Sequence, residues 1–429
     1  MPDVCHAAVL AAGEGQRLGG VVPKVLTALW GRPAVVWPVL AARRAGAGRV
    51  VVVAGRNLPD IRKALAGRDA QCVQQAEPRG TGDALLAAAP ALQGLSGPLV
   101  LLYGDCPLTT PAMIRALLDL HRERRAAVTV LTALLPDPAG YGRVLRDAAG
   151  NLAAIVEEKD ADAGTRAVRE VNAGTWVVEL PGALEDLRAV GTDNAQHEVY
   201  LTDLVKLARA RGRGVAALAW PSAEEALGFN TARELAQVRT LLRRRIVEEH
   251  LAAGVEIVDP DSTFIDADVA IEPGARILPC TVIEGDCRIA AGCEVGPFSH
   301  LRAGTVLHPG AEVGNFTETK QAVLGAHVKA KHLTYLGDVT VGAGANIGAG
   351  TITANYDGRA KHATVVGERA FIGSGTVLVA PVTVGAGATT GAGAIVTRGS
   401  PVGAGETWVG VPARPLPKDR PLPAKDKDA

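Results

Sequence analysis

Along the C-terminal half of the chain an aliphatic residue returns at every sixth position: Ile271, Ile277, Ile283, Ile289, Val295, Leu301, Leu307 and Val313. Four places after each stands a small residue: Ala275, Thr281, Cys287, Cys293, Ser299, Thr305, Ala311 and Thr317. The beat resumes at Val341 and Ile347, then at Val366, Ile372, Leu378, Val384, Thr390 and Val396. A six-residue period fits neither a helix of 3.6 residues per turn nor a hairpin. It predicts a parallel β-helix, in which each hexad supplies one short strand and a turn and every coil needs neighbours to bury its apolar edge. The beat lapses between Thr319 and Thr334 and between Thr353 and Thr364. A polar stretch there must loop out, which makes these two gaps the places to look for chemistry.

The N-terminal half has a different rhythm. Strand-like runs at His6–Leu10, Arg49–Ala54, Leu99–Tyr103, Val128–Leu134 and Thr175–Val178 alternate with helical ones such as Ile114–Arg124 and Glu198–Ala210. Such alternation predicts a mostly parallel sheet covered by helices, with ligands at the carboxyl ends of its strands. The segment Thr231–His250 has helical periodicity without Gly or Pro. The expected organisation is therefore an α/β domain over 1–230, a helical linker over 231–250, a β-helix over 251–412 and a disordered, Pro-rich charged tail over 413–429.

Composition narrows the function classes. The 429 residues are 48% hydrophobic and 21% charged, and 45 basic residues balance 45 acidic ones. Nothing in that balance calls for nucleic acid or an anionic membrane as partner. No stretch approaches the roughly 18 unbroken apolar residues of a membrane helix, so no membrane insertion and a cytoplasmic location are expected. The six cysteines form no C-x-x-C pair. Cys287 and Cys293 fall on the small inward position of consecutive hexads and read as core. Cys106 reads as a packing residue.

After the first strand comes LAAGEGQRLGGVVPKVL, Leu10 to Leu26. A glycine-rich turn at a strand end exposes backbone N–H groups that can cradle phosphate. It is not a P-loop, having no G-K-[ST], and the spacing Gly13-x-Gly15-x-x-x-Gly19 does not match a dinucleotide fingerprint. Arg17 and Lys24 add two cations, as a polyphosphate requires. Asp105, at the end of LVLLYGD, is by itself either a turn cap or a hard oxygen ligand.

The segment LAAGEGQRLG…PK resembles the signature of sugar-nucleotide pyrophosphorylases. Further pieces follow in that family's order: Gln74-Gln75-Ala-Glu-Pro-Arg-Gly80-Thr81-Gly82, Tyr103-Gly104-Asp105, Gly140-Tyr141-Gly142-Arg143, Ile155 to Asp160, Val171-Asn172-Ala-Gly174 and Gly228-Phe229-Asn230. With the hexads attached, residues 4–412 are similar to the bacterial bifunctional N-acetylglucosamine-1-phosphate uridylyltransferases/glucosamine-1-phosphate N-acetyltransferases. The resemblance implies a Rossmann-like nucleotidyltransferase domain followed by a left-handed parallel β-helix. It implies UTP and N-acetylglucosamine-1-phosphate as substrates of the first domain, with Mg²⁺ held by Asp105 and Asn230. Leu10, Ala11, Ala12, Gly13, Tyr103 and Gly104 would contact nucleotide, and Arg17 and Lys24 would act on its phosphates. Gln75, Gly80 and Thr81 would read the uracil, and Gly142, Glu157 and Asn172 would hold the N-acetylglucosamine.

The same resemblance implies that the β-helix transfers acetyl from acetyl-CoA to glucosamine-1-phosphate. An amine must lose its proton before it attacks a thioester, and histidine suits that task. His332, in Lys329-Ala-Lys331-His332-Leu-Thr-Tyr335, is the implied base. Arg302, Lys320, Tyr335, Asn346, Asn355 and Tyr356 match the acceptor contacts; Ala349, Ser374 and Ala392 match the acetyl-CoA groove. The chain departs from many relatives at Gly410, where they carry an arginine; Arg398 or Arg414 is the expected substitute on the CoA phosphates. A homotrimer sharing its sites is implied as well. One alternative is another sugar-1-phosphate nucleotidylyltransferase with a non-catalytic solenoid, which predicts unbroken hexads. Another is a binding module on a scaffold, which leaves Asp105, Lys24 and Arg17 without a purpose.

Overall fold

Alternate residues of the first strand, His6–Ala11, point to opposite sides and are buried on both. Val9 enters one apolar cluster with Val52, Val100 and Ile114, while Ala8 and Leu10 enter another with Val51, Leu99 and Leu204. Near-continuous apolar runs such as VVVVA at Val50–Ala54 are what a sheet covered on both faces needs. These elements belong to a computed structural model of the chain that describes residues 5–13, 22–226 and 228–417. Two compact units divide at Leu241/Leu242.

The sheet of the first unit runs Gly214–Ala219, Ala126–Leu134, Glu170–Leu180, Gly97–Tyr103, His6–Ala11, Val50–Ala54, Gln71–Gln74. Only Glu170–Leu180 is antiparallel to its neighbours along this path. A hairpin, Arg143–Arg146 with Leu152–Val156, hangs from that strand through Val171 and Arg143. The hairpin, the half-polar strand Gln71–Gln74 and the alanine-rich strand Gly214–Ala219 were not legible as strands in the sequence.

Two helix expectations shift. The helix expected from Ile114 begins at Pro111, where Thr110 Oγ1 caps the Met113 N–H at 3.1 Å. The one expected from Glu198 begins only at Asp203. Residues 198–202 lie instead against the Gly80 loop: the Val199 carbonyl accepts from the Gly82 N–H at 2.8 Å and its N–H donates to the Arg79 carbonyl at 2.8 Å. Tertiary hydrogen bonds here override helical propensity.

The helix Ala232–Ala252 starts at a capping box, with Thr231 and Glu234 exchanging hydrogen bonds of 3.2 and 3.1 Å. Among the described residues no helix is long and apolar enough to cross a membrane.

The second unit is a parallel β-helix. Phe264 pairs with Val282, Ala270 with Arg288 and Arg276 with Glu294, each eighteen residues on, so three hexads make one coil. The small inward residues earn their place at the corners. Thr281 and Thr305 hydroxyls each donate at 2.7 Å to the carbonyl three residues back, and Cys287 Sγ lies 3.0 Å from the Glu284 carbonyl. Burial pushes the Cys287 thiol up to about 11.

The two gaps are different objects. Through the first, Glu318 pairs with Tyr335 and Lys329 with Asn346, seventeen residues apart, so the coil has lost one residue. Through the second, Val339 pairs with Thr364 and Ile347 with Ile372, twenty-five apart, so seven residues are added. At the far end Arg414–Pro415 pairs antiparallel with Trp408–Val409. The irregular tail expected from residue 413 thus still contributes a strand; residues 418–429 lie outside the described part.

Candidate active sites

Strands His6–Ala11 and Gly97–Tyr103 are parallel neighbours, so their carboxyl ends open on one edge of the sheet. A cleft of about 290 Å³ lies there. Leu10, Ala11, Ala12, Gly13, Lys24, Gln75, Gly80, Thr81, Tyr103 and Asp105, all named from the sequence as candidate site residues, line it together. Gly104 sits behind, its N–H donating to the Leu10 carbonyl at 2.9 Å, and an added Cβ there would be tight, 3.0 Å from Ala11 Cβ. Arg17 lies outside the described residues.

Lys24 Nζ is paired with Asp105 Oδ2 and donates to Asn230 Oδ1 at 3.1 Å. Asp105 and Asn230, far apart in sequence, therefore point oxygens at one cation. Asn230 is presented by the capped start of the long helix, and its N–H donates to Glu234 Oε2. Phe229 is fully buried, and its N–H donates to the Asp105 carbonyl at 3.3 Å, which fixes the two segments together. Beside them burial, reinforced by Asp105, pushes the Cys106 thiol well up, away from the thiolate form.

The residues expected to hold the sugar also gather. The Asn172 N–H donates to the Gly142 carbonyl at 2.9 Å, and a Cβ on Gly142 would lie 3.4 Å from Glu157 Oε2. Glu157 Oε1 accepts from Thr202 at 3.1 Å. Burial raises the Glu157 carboxyl against that bond, and burial followed by the Glu157 charge pushes the Tyr103 hydroxyl far above its ordinary range. Thr202 and Glu198, which lines the cleft, were missed in the sequence because they were read as helix.

In the β-helix the first gap places Lys320 in register with Gly337. Tyr335 and Asn355 close over that glycine: a Cβ there would lie 2.5 Å from the Tyr335 hydroxyl and 2.7 Å from Asn355 Nδ2. The neighbouring Lys361, then partial burial and Arg302, hold the Lys320 ammonium below the ordinary lysine range. This is a crowded cationic patch, suited to phosphate. Glu318 steadies Arg302 at 2.9 Å, and Asp338 accepts from Asn355 Nδ2. Glu318, Asp338 and Lys361 escaped the sequence reading, although all three fall in or beside the interruptions. Tyr356 is 61% exposed and takes part through a backbone bridge to Lys361.

His332 and Asn346 lie on the adjoining sheet, round a corner at Leu333, whose φ is +46°. The His332 carbonyl accepts from Gly350 at 3.4 Å, Ala349 from Gly375 at 2.7 Å and Ser374 from Gly393 at 2.8 Å. His332, Ala349, Ser374 and Ala392 therefore stack in one column up the edge of the solenoid, a histidine at its foot and small residues above. Arg398 is already engaged, its Nη2 3.2 Å from Asp357 Oδ2, and Arg414 bonds the Ala413 carbonyl at 3.0 Å.

Comparison with known proteins agrees with this two-part layout. A MobA-like NTP transferase domain model matches residues 7–173. Over 433 residues the chain is 44% identical to the bifunctional protein GlmU of Pelobacter propionicus, covering 93% of this chain and 94% of that one. It is 43% identical to the GlmU of Trichlorobacter lovleyi with the same coverage, and 44% identical to that of Anaeromyxobacter dehalogenans over 88% of this chain and 84% of the relative. By that likeness along nearly its whole length, the chain belongs to the GlmU family of bifunctional proteins.

Proposed function

We propose that the chain makes UDP-N-acetylglucosamine in two steps. At the β-helix the amine of glucosamine-1-phosphate bonds to the acetyl carbon of acetyl-CoA while the C–S bond breaks and CoA leaves as the thiol. His332 takes the amine proton; Arg302, Lys320 and Lys361 hold the phosphate; Tyr335, Asn346, Asn355 and Tyr356 orient the sugar. The column of Ala349, Ser374 and Ala392 leaves a groove for acetyl-CoA. At the first unit a phosphate oxygen of N-acetylglucosamine-1-phosphate attacks the α-phosphorus of UTP and pyrophosphate leaves. Gln75, Gly80 and Thr81 seat the base, while Gly142, Glu157 and Asn172 seat the sugar. Lys24 and Arg17 neutralise phosphate charge, which is the main task of the protein in such a transfer.

The observation that carries this reading is that Lys24, in the cleft beside Asp105, also reaches Asn230. One carboxylate and one amide oxygen converging on a cation form a hard donor set, which suits Mg²⁺ completed by phosphate oxygens and water. Asp105 and Asn230 would hold that ion, which supplies charge neutralisation at the phosphates. A purely architectural solenoid leaves the Lys320, Tyr335 and Asn355 cluster without a purpose. A homotrimer suits the flat face on which Val306, Val323, Thr340 and Val365 stand in register; sedimentation giving a monomer active in acetyl transfer would overturn it.

The test is incubation with glucosamine-1-phosphate, acetyl-CoA, UTP and Mg²⁺. UDP-N-acetylglucosamine should form, and omission of acetyl-CoA should stop it unless N-acetylglucosamine-1-phosphate is supplied. His332→Ala should abolish only the first step.

A further inference from the structure

Gln75 is 6% exposed and lines the cleft, and its amide is held at one end. Nε2 donates to Asp83 Oδ2 at 2.6 Å and to the Gly80 carbonyl at 3.3 Å. Which end of a glutamine amide is nitrogen is ordinarily ambiguous, but here the partners decide it: a carboxylate and a backbone carbonyl have no hydrogen to give. Both amide hydrogens are thereby committed to the protein. Oε1 takes no hydrogen bond from the described residues and remains the atom available to a ligand.

We infer that Asp83 is a specificity-determining positioning residue: by fixing the Gln75 amide it makes the cleft present an acceptor, and so selects a pyrimidine with an N3–H donor. Uracil and thymine carry that hydrogen. Cytosine seated the same way turns a lone pair towards Oε1, and the mismatch is costly because two acceptors then face each other with no hydrogen between them. Asp83 needs no contact with nucleotide to do this. It stands two residues beyond Thr81 at the start of the helix Thr81–Ala87, and is not among the residues that line the cleft, as Gln75, Gly80 and Thr81 are. The inference rests on the reading that Gln75 meets the base.

The experiment measures kcat/KM for nucleotidyl transfer with UTP, TTP and CTP on the full-length protein and on Asp83→Asn and Gln75→Ala. An asparagine at 83 offers both a donor and an acceptor and no longer dictates the amide. Asp83→Asn should lower the UTP/CTP preference about tenfold, and the TTP/CTP preference alike, chiefly through KM for UTP and TTP. Its acetyl transfer should match the wild type, which shows that the variant folds. If Gln75→Ala collapses the preference and Asp83→Asn leaves it intact, the role of Asp83 is overturned while Gln75 stays the base reader. If Gln75→Ala also leaves the preference intact, the assignment of Gln75 to the base falls, and the inference with it.

Discussion

Arg398 Nη2 hydrogen-bonds Asp357 Oδ2 at 3.2 Å, reaching past the intervening coil, where its Nε donates to the Ala380 carbonyl at 3.2 Å. The loop so tied is the seven-residue insertion that carries Asn355, Tyr356 and Lys361. Asp357 is its hub: Oδ1 accepts from the N–H groups of Arg359 and Ala360 at 2.9 and 2.8 Å, and Oδ2 from His362 at 2.7 Å. Those donors, the Ala360 N–H foremost, hold its carboxyl well below the usual range. Asp357→Asn should slow acetyl transfer about tenfold and leave uridylyl transfer within about twofold. Separate assays of the two steps decide it; equal losses would defeat the clamp.

Asp105→Ala removes the charged oxygen facing Lys24. Uridylyl transfer should fall at least about 100-fold with acetyl transfer unchanged. Loss of both steps in a folded protein would defeat the assignment of two separate sites.

Gly80 has φ +108°, and a Cβ there would lie 2.7 Å from the Val199 carbonyl oxygen and 2.9 Å from Glu198 Cβ. Gly80→Ala should cost about 1–3 kcal/mol, read as a lower Tm, together with a higher KM for UTP.

Burial raises the Glu157 carboxyl. A raised acid contributes stability that is fully present below its unfolded pKa, near 4.3, and is lost as pH rises through its folded value. Glu157→Gln is neutral at every pH, so its Tm should exceed that of the wild type by about 2 °C at pH 8 and converge with it towards pH 4. Uridylyl transfer should be impaired at either pH. Calorimetry showing the same offset at both would refute the burial argument.

The column above His332 predicts that Ala349→Leu fills the acetyl-CoA groove. KM for acetyl-CoA should rise about tenfold with little change in KM for glucosamine-1-phosphate. A change confined to the sugar phosphate would place the groove elsewhere.

The β-helix was legible because its order is local in kind. Each hexad meets only the coils above and below, so Ile277, Ile283 and Ile289 disclose the architecture by spacing alone. The gaps at Thr319 and Thr353 were equally plain, but whether each shortened or lengthened a coil was not, since that depends on the register across coils. The strand Gln71–Gln74 stayed hidden because an edge strand needs no apolar signature, and the span from Glu198 to Thr202 misled because its helical pattern loses to hydrogen bonds with Arg79 and Gly82.

By itself the sequence determined two unlike halves, the period of the solenoid, and the residue types of both sites. Only the tertiary structure decided that Lys24 joins Asp105 to Asn230, that Asp83 sets the polarity of Gln75, and that Asp357 is spanned by Arg398. Periodicity is written in neighbouring positions, whereas the orientation of a side chain is fixed by partners that the chain brings back from far along its length.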